Sequence, residues 1–129
     1  MEARVGAITL FVDDPRRSNE FYAHVWDATP VYEDAVSVAF RFDATVVNLL
    51  ARSEAHELVA PAPVAGAGAG SQLQLTVWVA DADAACAELA AKGVGLLNGP
   101  LDRPWGLRTA AFADPDGYVW EIAQSIEAG

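Results

Sequence analysis

The sequence predicts an α+β fold: two βαβββ modules forming a cup-shaped, curved mixed sheet with the helices on its outer face. Three observations carry this. A pattern of strand, helix cap, helix and three short strands occurs twice, and Val12-Asp13-Asp14 in the first copy recurs as Val79-Ala80-Asp81 in the second. Between the copies lies a stretch dominated by Ala, Pro and Gly, with no apolar period. The expected organisation is one domain over residues 1–129, made of a module over 1–52, a flexible linker over 53–70 and a module over 71–129.

In residues 4–12, period-2 alternation separates Ile8, Leu10 and Val12 from Ala7, Thr9 and Phe11, the mark of a strand. Asp14 then offers an N-cap and Pro15 a first helical residue with φ already set. Ser18, Phe21, Tyr22 and Val25 share one side of the helix that follows, which should stop near Asp27, ahead of Pro30. Strands are expected over 31–33, 36–42 and 45–51, divided by Asp34 and Asp43. After the linker, residues 72–79 form a strand, and Asp81 caps a helix running through Ala85, Cys86 and Leu89 to a Gly93 C-cap. Three further strands are expected at 95–97, 107–112 and 118–124. Asp114-Pro115-Asp116-Gly117 is a tight turn feeding the last of them and needs no ligand to explain it. Neither half has much apolar surface of its own, so the two are expected to share a sheet system with a concavity inside.

Composition bounds the function. With 129 residues and 53% hydrophobic content, the chain can hide about two-thirds of its unfolded surface and fold without staples. A single cysteine, Cys86, excludes a disulfide framework and multi-cysteine zinc modules, and favours a reducing, cytoplasmic setting. No stretch approaches the roughly 18 apolar residues of a membrane span, and Met1 leads into an acidic residue and a strand, so a soluble, unprocessed protein is expected. Eight Lys+Arg against eighteen Asp+Glu give a net charge of −10, which repels nucleic acids and anionic membranes.

Several strings in order resemble the vicinal oxygen chelate superfamily, which includes glyoxalase I, extradiol dioxygenases, fosfomycin-resistance enzymes and bleomycin-resistance proteins. They are Val12-Asp13-Asp14 with Phe21-Tyr22 in the first half, and Val79-Ala80-Asp81, Gly93-Val94, Gly99-Pro100, Pro104-Trp105-Gly106 and Asp114 to Glu121 in the second. Enzymes of that family hold a divalent metal with side chains from the first and last strand of each half. The resemblance places those positions at Ala7, Asn48, Gln74 and Glu121. Ala7 has no donor atom, Asn48 and Gln74 offer neutral amides, and only Glu121 is anionic, so no bound catalytic metal and no other cofactor are expected. His24, late in the first helix, and His56, in the linker, do not repair the deficit. Cys86, on the apolar face of the second helix, reads as a small buried hydrophobe.

In the register the resemblance implies, the cup is lined by Ala7, Thr9, Phe11, Val46, Asn48 and Leu50 from one half, and by Gln72, Gln74, Thr76 and Trp78 from the other. The opposite face of that last strand, Leu73, Leu75, Val77 and Val79, is wholly apolar and belongs against the helix. Phe11, Asn48, Gln72, Gln74 and Trp78 are therefore expected to bind a ligand. Trp105 is expected to close over it from a loop, and Arg108 to pair with an acidic group of the protein or of the ligand. Trp26 and Trp120 are candidates for core or interface packing. Glu121 would serve as a general base or as the partner of a cationic ligand.

The expected function is a metal-free binding protein resembling the bleomycin-resistance branch, sequestering an aromatic or cationic natural product. The alternative is a glyoxalase-like lyase or isomerase, or a dioxygenase, using Glu121 as metal ligand or base. A homodimer with a small-molecule ligand is implied by the same resemblance.

Overall fold

A computed structural model describes residues 1–127. The chain divides into two compact units, one from Met1 to Ala69 and one beginning at Gly70. Residues 128 and 129, the end of the second expected module, lie outside the described residues.

The first unit contains β1 (Ala7–Val12), α1 (Pro15–Trp26), β2 (Tyr32–Glu33), β3 (Ser37–Phe42) and β4 (Thr45–Ala51). Its sheet runs in the order β1-β4-β3-β2, with β1 parallel to β4 and the other pairs antiparallel. Alternation gives the sheet one apolar face, on which Leu10, Val12, Val38, Phe40, Val47 and Leu49 are buried. The buried side of α1, Ser18, Tyr22 and Val25, completes that layer, and the Tyr22 and Phe40 rings lie 6.0 Å apart. Each large side chain so buried contributes on the order of 1.5–3 kcal/mol relative to exposure. The Asp14 carboxylate accepts from the Arg16 N–H at 3.0 Å, and Asp27 ends the helix with φ at 50°. β1 starts at Ala7, three residues later than expected, because its partner β4 starts only at Thr45.

Residues 52–69 are not the featureless linker that composition suggests. A 3-10 turn at Arg52–Glu54 leads into the short helix α2 (His56–Val59), with Ala55 between them fully buried. The Arg52 Nε donates to Asp13 at 2.9 Å, and another of its nitrogens donates to the Ala65 carbonyl. One arginine thus ties both ends of the segment to the start of α1, a long-range device that a composition window cannot register.

The second unit repeats the topology with β5 (Gln74–Trp78), α3 (Ala82–Ala91), β6 (Asn98–Arg103), β7 (Leu107–Ala113) and β8 (Val119–Ser125), in the sheet order β5-β8-β7-β6. One constant shift along the chain carries Ala7 onto Gln74, Asp14 onto Asp81 and Pro15 onto Ala82, so the repeat in the sequence is a repeat in the fold. Ala82, Cys86 and Leu89 form the buried side of α3, against a sheet whose buried residues include Ala110, Phe112, Trp120 and Ile122. Asp81 accepts from the Ala84 N–H at 3.1 Å, and Gly93, at φ 81°, follows the last turn in the left-handed conformation. The turn before β8 is built on Asp114, whose Oδ1 accepts from the N–H groups of Asp116 and Tyr118, each at 2.9 Å.

The strand expected at 95–97 lies instead at Asn98–Arg103. Gly99 and Pro100 read locally as a turn, yet β6 is an edge strand, where a proline with no N–H is tolerated. A register shift between Asn98 and Leu101 absorbs the irregularity. Gly99 takes φ 84° and passes so close to β7 that a Cβ there would stand 2.3 Å from the Thr109 carbonyl oxygen. Among the described residues, no helix is long and apolar enough to cross a membrane.

Two outcomes follow from this packing. Gly99→Ala combines a left-handed backbone with a clash against main chain, so it should cost about 2 kcal/mol or more in urea unfolding. Burial pushes the Cys86 thiol up, with Asp83 adding to the effect. A raised thiol pKa means less thiolate at any given pH, so a thiol reagent at neutral pH should label Cys86 more slowly in the folded protein than in urea, where the thiol is free.

Candidate functional site

The two faces of the second sheet have different tasks. Gln124 on β8 accepts from the Ala82 N–H of α3 at 2.8 Å, and Arg108 on β7 pairs with Asp83 of α3 at 3.0 Å. Those contacts identify the face that meets the helix, and alternation assigns to it Leu75, Val77, Ala110, Phe112, Trp120 and Ile122. Gln74, Thr76 and Trp78 stand on the other face, exposed. Register then fixes their neighbours: Thr76, Glu121, Ala111 and Asn98 form one row across the four strands, and Trp78, Ala123, Thr109 and Leu101 form the next.

Within this face, Thr76 Oγ1 donates to Glu121 Oε1 at 2.9 Å. That bond fixes the carboxylate toward β5 and leaves its second oxygen available. Trp78 is 68% exposed, a large aromatic surface left beside an oriented carboxylate. Farther along, Arg103 donates from Nε to Thr109 Oγ1 at 2.9 Å and from Nη2 to Asn98 Oδ1 at 3.1 Å.

The structure therefore brings Gln74, Trp78 and Glu121 together. Phe11 and Asn48 share the corresponding face of the first sheet, where Thr9 pairs with Asn48 and Phe11 with Leu50, and both are half-buried. Gln72 precedes β5 and is exposed. Trp105, 62% exposed, sits in the turn between β6 and β7. Arg108 is not brought to the open face. It points to the helix side, where hydrogen bonds to Asp102 and then Asp83 raise its pKa, so its acidic partners belong to the protein. Sequence reasoning missed Asn98 and Arg103, because placing the strand at 95–97 hid their parity, and with them Thr109, which lay on an expected strand but whose partner Arg103 did not. The turn string Pro104-Trp105-Gly106, read backward as the end of a strand, is the signal that would have found them.

The four positions that the resemblance assigns to metal fall into two equivalent pairs. Ala7 and Asn48 are diagonal neighbours on the open face of the first sheet, and Gln74 and Glu121 are diagonal neighbours on that of the second. A methyl group, two amides and one carboxylate already accepting from Thr76 do not fit a divalent transition metal. Among the described residues, no group of three or more His, Cys, Asp or Glu could hold one. His24 is exposed on α1, and His56 opens α2.

A cleft of about 230 Å³ in the first unit is lined by Asp14, Asn19, Glu33, Asp34 and Ser37, among others. Its carboxylates already have partners. Asp14 caps α1, Glu33 accepts from Asn19 at 3.0 Å, and Asp34 accepts from the Tyr32 hydroxyl and from the Val36 and Ser37 N–H groups. The Tyr32 bond, ahead of the Val36 one, holds the Asp34 carboxyl below the usual range. This cleft is scaffold around the β2-β3 turn.

Comparison with known proteins agrees with the topology. A glyoxalase-related enzyme from Fulvimarina pelagi superposes with a TM-score of 0.81 at 25% identity, over 95% of this chain and 88% of that one. A glyoxalase/bleomycin resistance protein/dioxygenase from Nocardioides gives 0.86 at 23% identity, over 100% and 87%. A lactoylglutathione lyase from Agrobacterium tumefaciens gives 0.74 at 20%, over 95% and 94%. At those lower identities the likeness is one of fold. No curated protein matches the sequence. The family pattern of the glyoxalase/bleomycin resistance protein/dioxygenase superfamily matches residues 4–122. With that pattern covering nearly the whole chain, and with both units carrying the paired-strand register described above, the chain belongs to this superfamily.

Proposed function

We propose that this protein binds a planar aromatic small molecule without a metal, on the open face bearing Gln74, Trp78 and Glu121. The observation that carries the reading is the exposed Trp78 indole beside a carboxylate oriented by Thr76. An aromatic face gives stacking area, the Gln74 amide offers both donor and acceptor, and the free oxygen of Glu121 attracts a donor or a cation. A sheet face that served only to meet water would have no use for an exposed tryptophan on its edge strand. In this reading the protein sequesters its ligand in the manner of bleomycin-resistance proteins, as a cytoplasmic homodimer.

A second reading, an enzyme, draws on the same hydrogen bond. A carboxylate with one oxygen held by a hydroxyl and the other open is suited to removing a proton from a carbon acid, and two similar structures carry enzyme names.

Two measurements test these readings. Titrating aromatic and glycopeptide antibiotics against tryptophan fluorescence should reveal a saturating ligand whose affinity falls about tenfold or more in Trp78→Ala. Unchanged affinity in both Trp78→Ala and Trp105→Ala would refute the binding reading. Glu121→Gln keeps the shape of the side chain and removes its charge. It should leave the fold intact and binding of neutral aromatics within about threefold. Turnover of a carbon-acid substrate that disappears in Glu121→Gln would instead establish the enzyme.

A further inference from the structure

Arg103 is the cation of the open face, and its surroundings differ from those of Arg108. Arg108 has two carboxylates, Asp83 and Asp102. Arg103 is held by two neutral acceptors, the Thr109 hydroxyl and the Asn98 amide oxygen, and among the described residues no carboxylate pairs with it. In a chain with 18 Asp+Glu this is not for want of acids. The adjacent Asp102 is turned by strand alternation to the other face, where it serves Arg108.

The bonds to Thr109 and Asn98 use the Nε and Nη2 edge of the guanidinium. They leave Nη1 and the second Nη2 hydrogen, the end that grips a carboxylate through two parallel hydrogen bonds. Two side-chain anchors also remove much of the rotamer freedom that a lone surface arginine would lose on binding. Thr109 stands on β7 in the row of Trp78, two strands and about 10 Å from it, and Glu121 is its diagonal neighbour on the strand between them. Between them the sheet floor is Ala111 and Ala123, small side chains buried among their neighbours.

We propose that Arg103 is the anion-recognising residue of this face, and that the ligand bound there is an aromatic carboxylate with its ring toward Trp78 and its carboxylate on the guanidinium. The inference rests on the reading of this face as a ligand site, and it narrows the ligand class. Arg103 stands on β6, two strands from Glu121 on β8, so an anion held by it is kept apart from that carboxylate, whose free oxygen is then matched by a donor elsewhere on the ligand.

The test uses the full chain, ¹⁵N-labelled, with 2-naphthoate, 2-naphthamide and acetate as probes. 2-Naphthoate should bind about tenfold or more tighter than 2-naphthamide and should shift the Arg103 Nε–H resonance, as should millimolar acetate. Arg103→Gln should abolish the preference for the carboxylate, whereas Trp78→Ala should weaken both naphthyl probes and retain it. Thr109→Val keeps the charge and removes one anchor, so it should reduce the preference even if Arg103→Gln folds poorly. Equal binding of the two naphthyl probes with Trp78 still required would overturn the role of Arg103 and leave the ligand site standing. A shift with acetate but no Trp78-dependent naphthyl binding would remove the aromatic site and the aromatic carboxylate with it. No binding of any probe at millimolar concentration would end both.

Discussion

Thr76 lies opposite Glu121 because β5 pairs with β8 in parallel, in one particular register. Leu75 and Val77 must turn toward α3, since Trp120 and Ile122 turn there too and the helix presents Cys86 and Leu89 to receive them. Once that apolar layer is set, Gln74, Thr76, Trp78 and Glu121 have only the other face to occupy. A slip of one residue in β5 would exchange its two sets, exposing leucine and valine and burying an amide and a hydroxyl without partners. The candidate site is thus a consequence of hydrophobic burial on the opposite side of the same strands.

The internal repeat explains how one scaffold comes to offer two chemically different surfaces. The pairing of Thr9 with Asn48 in the first unit corresponds to the pairing of Thr76 with Glu121 in the second, and Ala7 corresponds to Gln74. The backbone frame is common to both, and of the four positions Ala7 carries no donor atom while Asn48 and Gln74 carry only neutral amides. What remains is one carboxylate, fixed by a threonine, in a setting of amides and rings. In the function proposed above, that combination serves recognition by stacking and directed hydrogen bonds.

Much of this was legible in the sequence because the signals were local. Asp14-Pro15 and Asp81 announced their helices through short-range capping, Asp114 its turn through side-chain bonds to the main chain two and four residues on, and β5 its two faces through strict alternation. The misplaced elements depend on distant partners. β6 runs through Gly99-Pro100, a pair that looks like a break until β7 is beside it, and then the missing Cβ of Gly99 is what permits the approach to Thr109. The ordering of residues 52–65 depends on Arg52 reaching Asp13, which no window around the linker contains. Of the predicted site residues, those on regular strands were assignable to a face. Arg108, on a regular strand too, was left with a partner in the protein or in the ligand, because the Asp83 that claims it lies on α3, distant in sequence.

Alternation across the β6-β7 turn also resolves an electrostatic puzzle. A net charge of −10 opposes the approach of any anion, yet at physiological ionic strength such a field decays over roughly 8 Å, and the decisive interactions lie closer than that. Asp102 and Arg103 are neighbours in sequence, but in a strand neighbours face opposite ways. Asp102 therefore neutralises Arg108 on the helix side, and Arg103 meets only a hydroxyl and an amide on the other. Charge summed over the molecule and charge presented on one face of one sheet are distinct quantities, and it is the second that a bound ligand encounters. An acidic protein can in this way present a fixed cation, provided the acid beside it in sequence is turned to the far side of the strand that carries it.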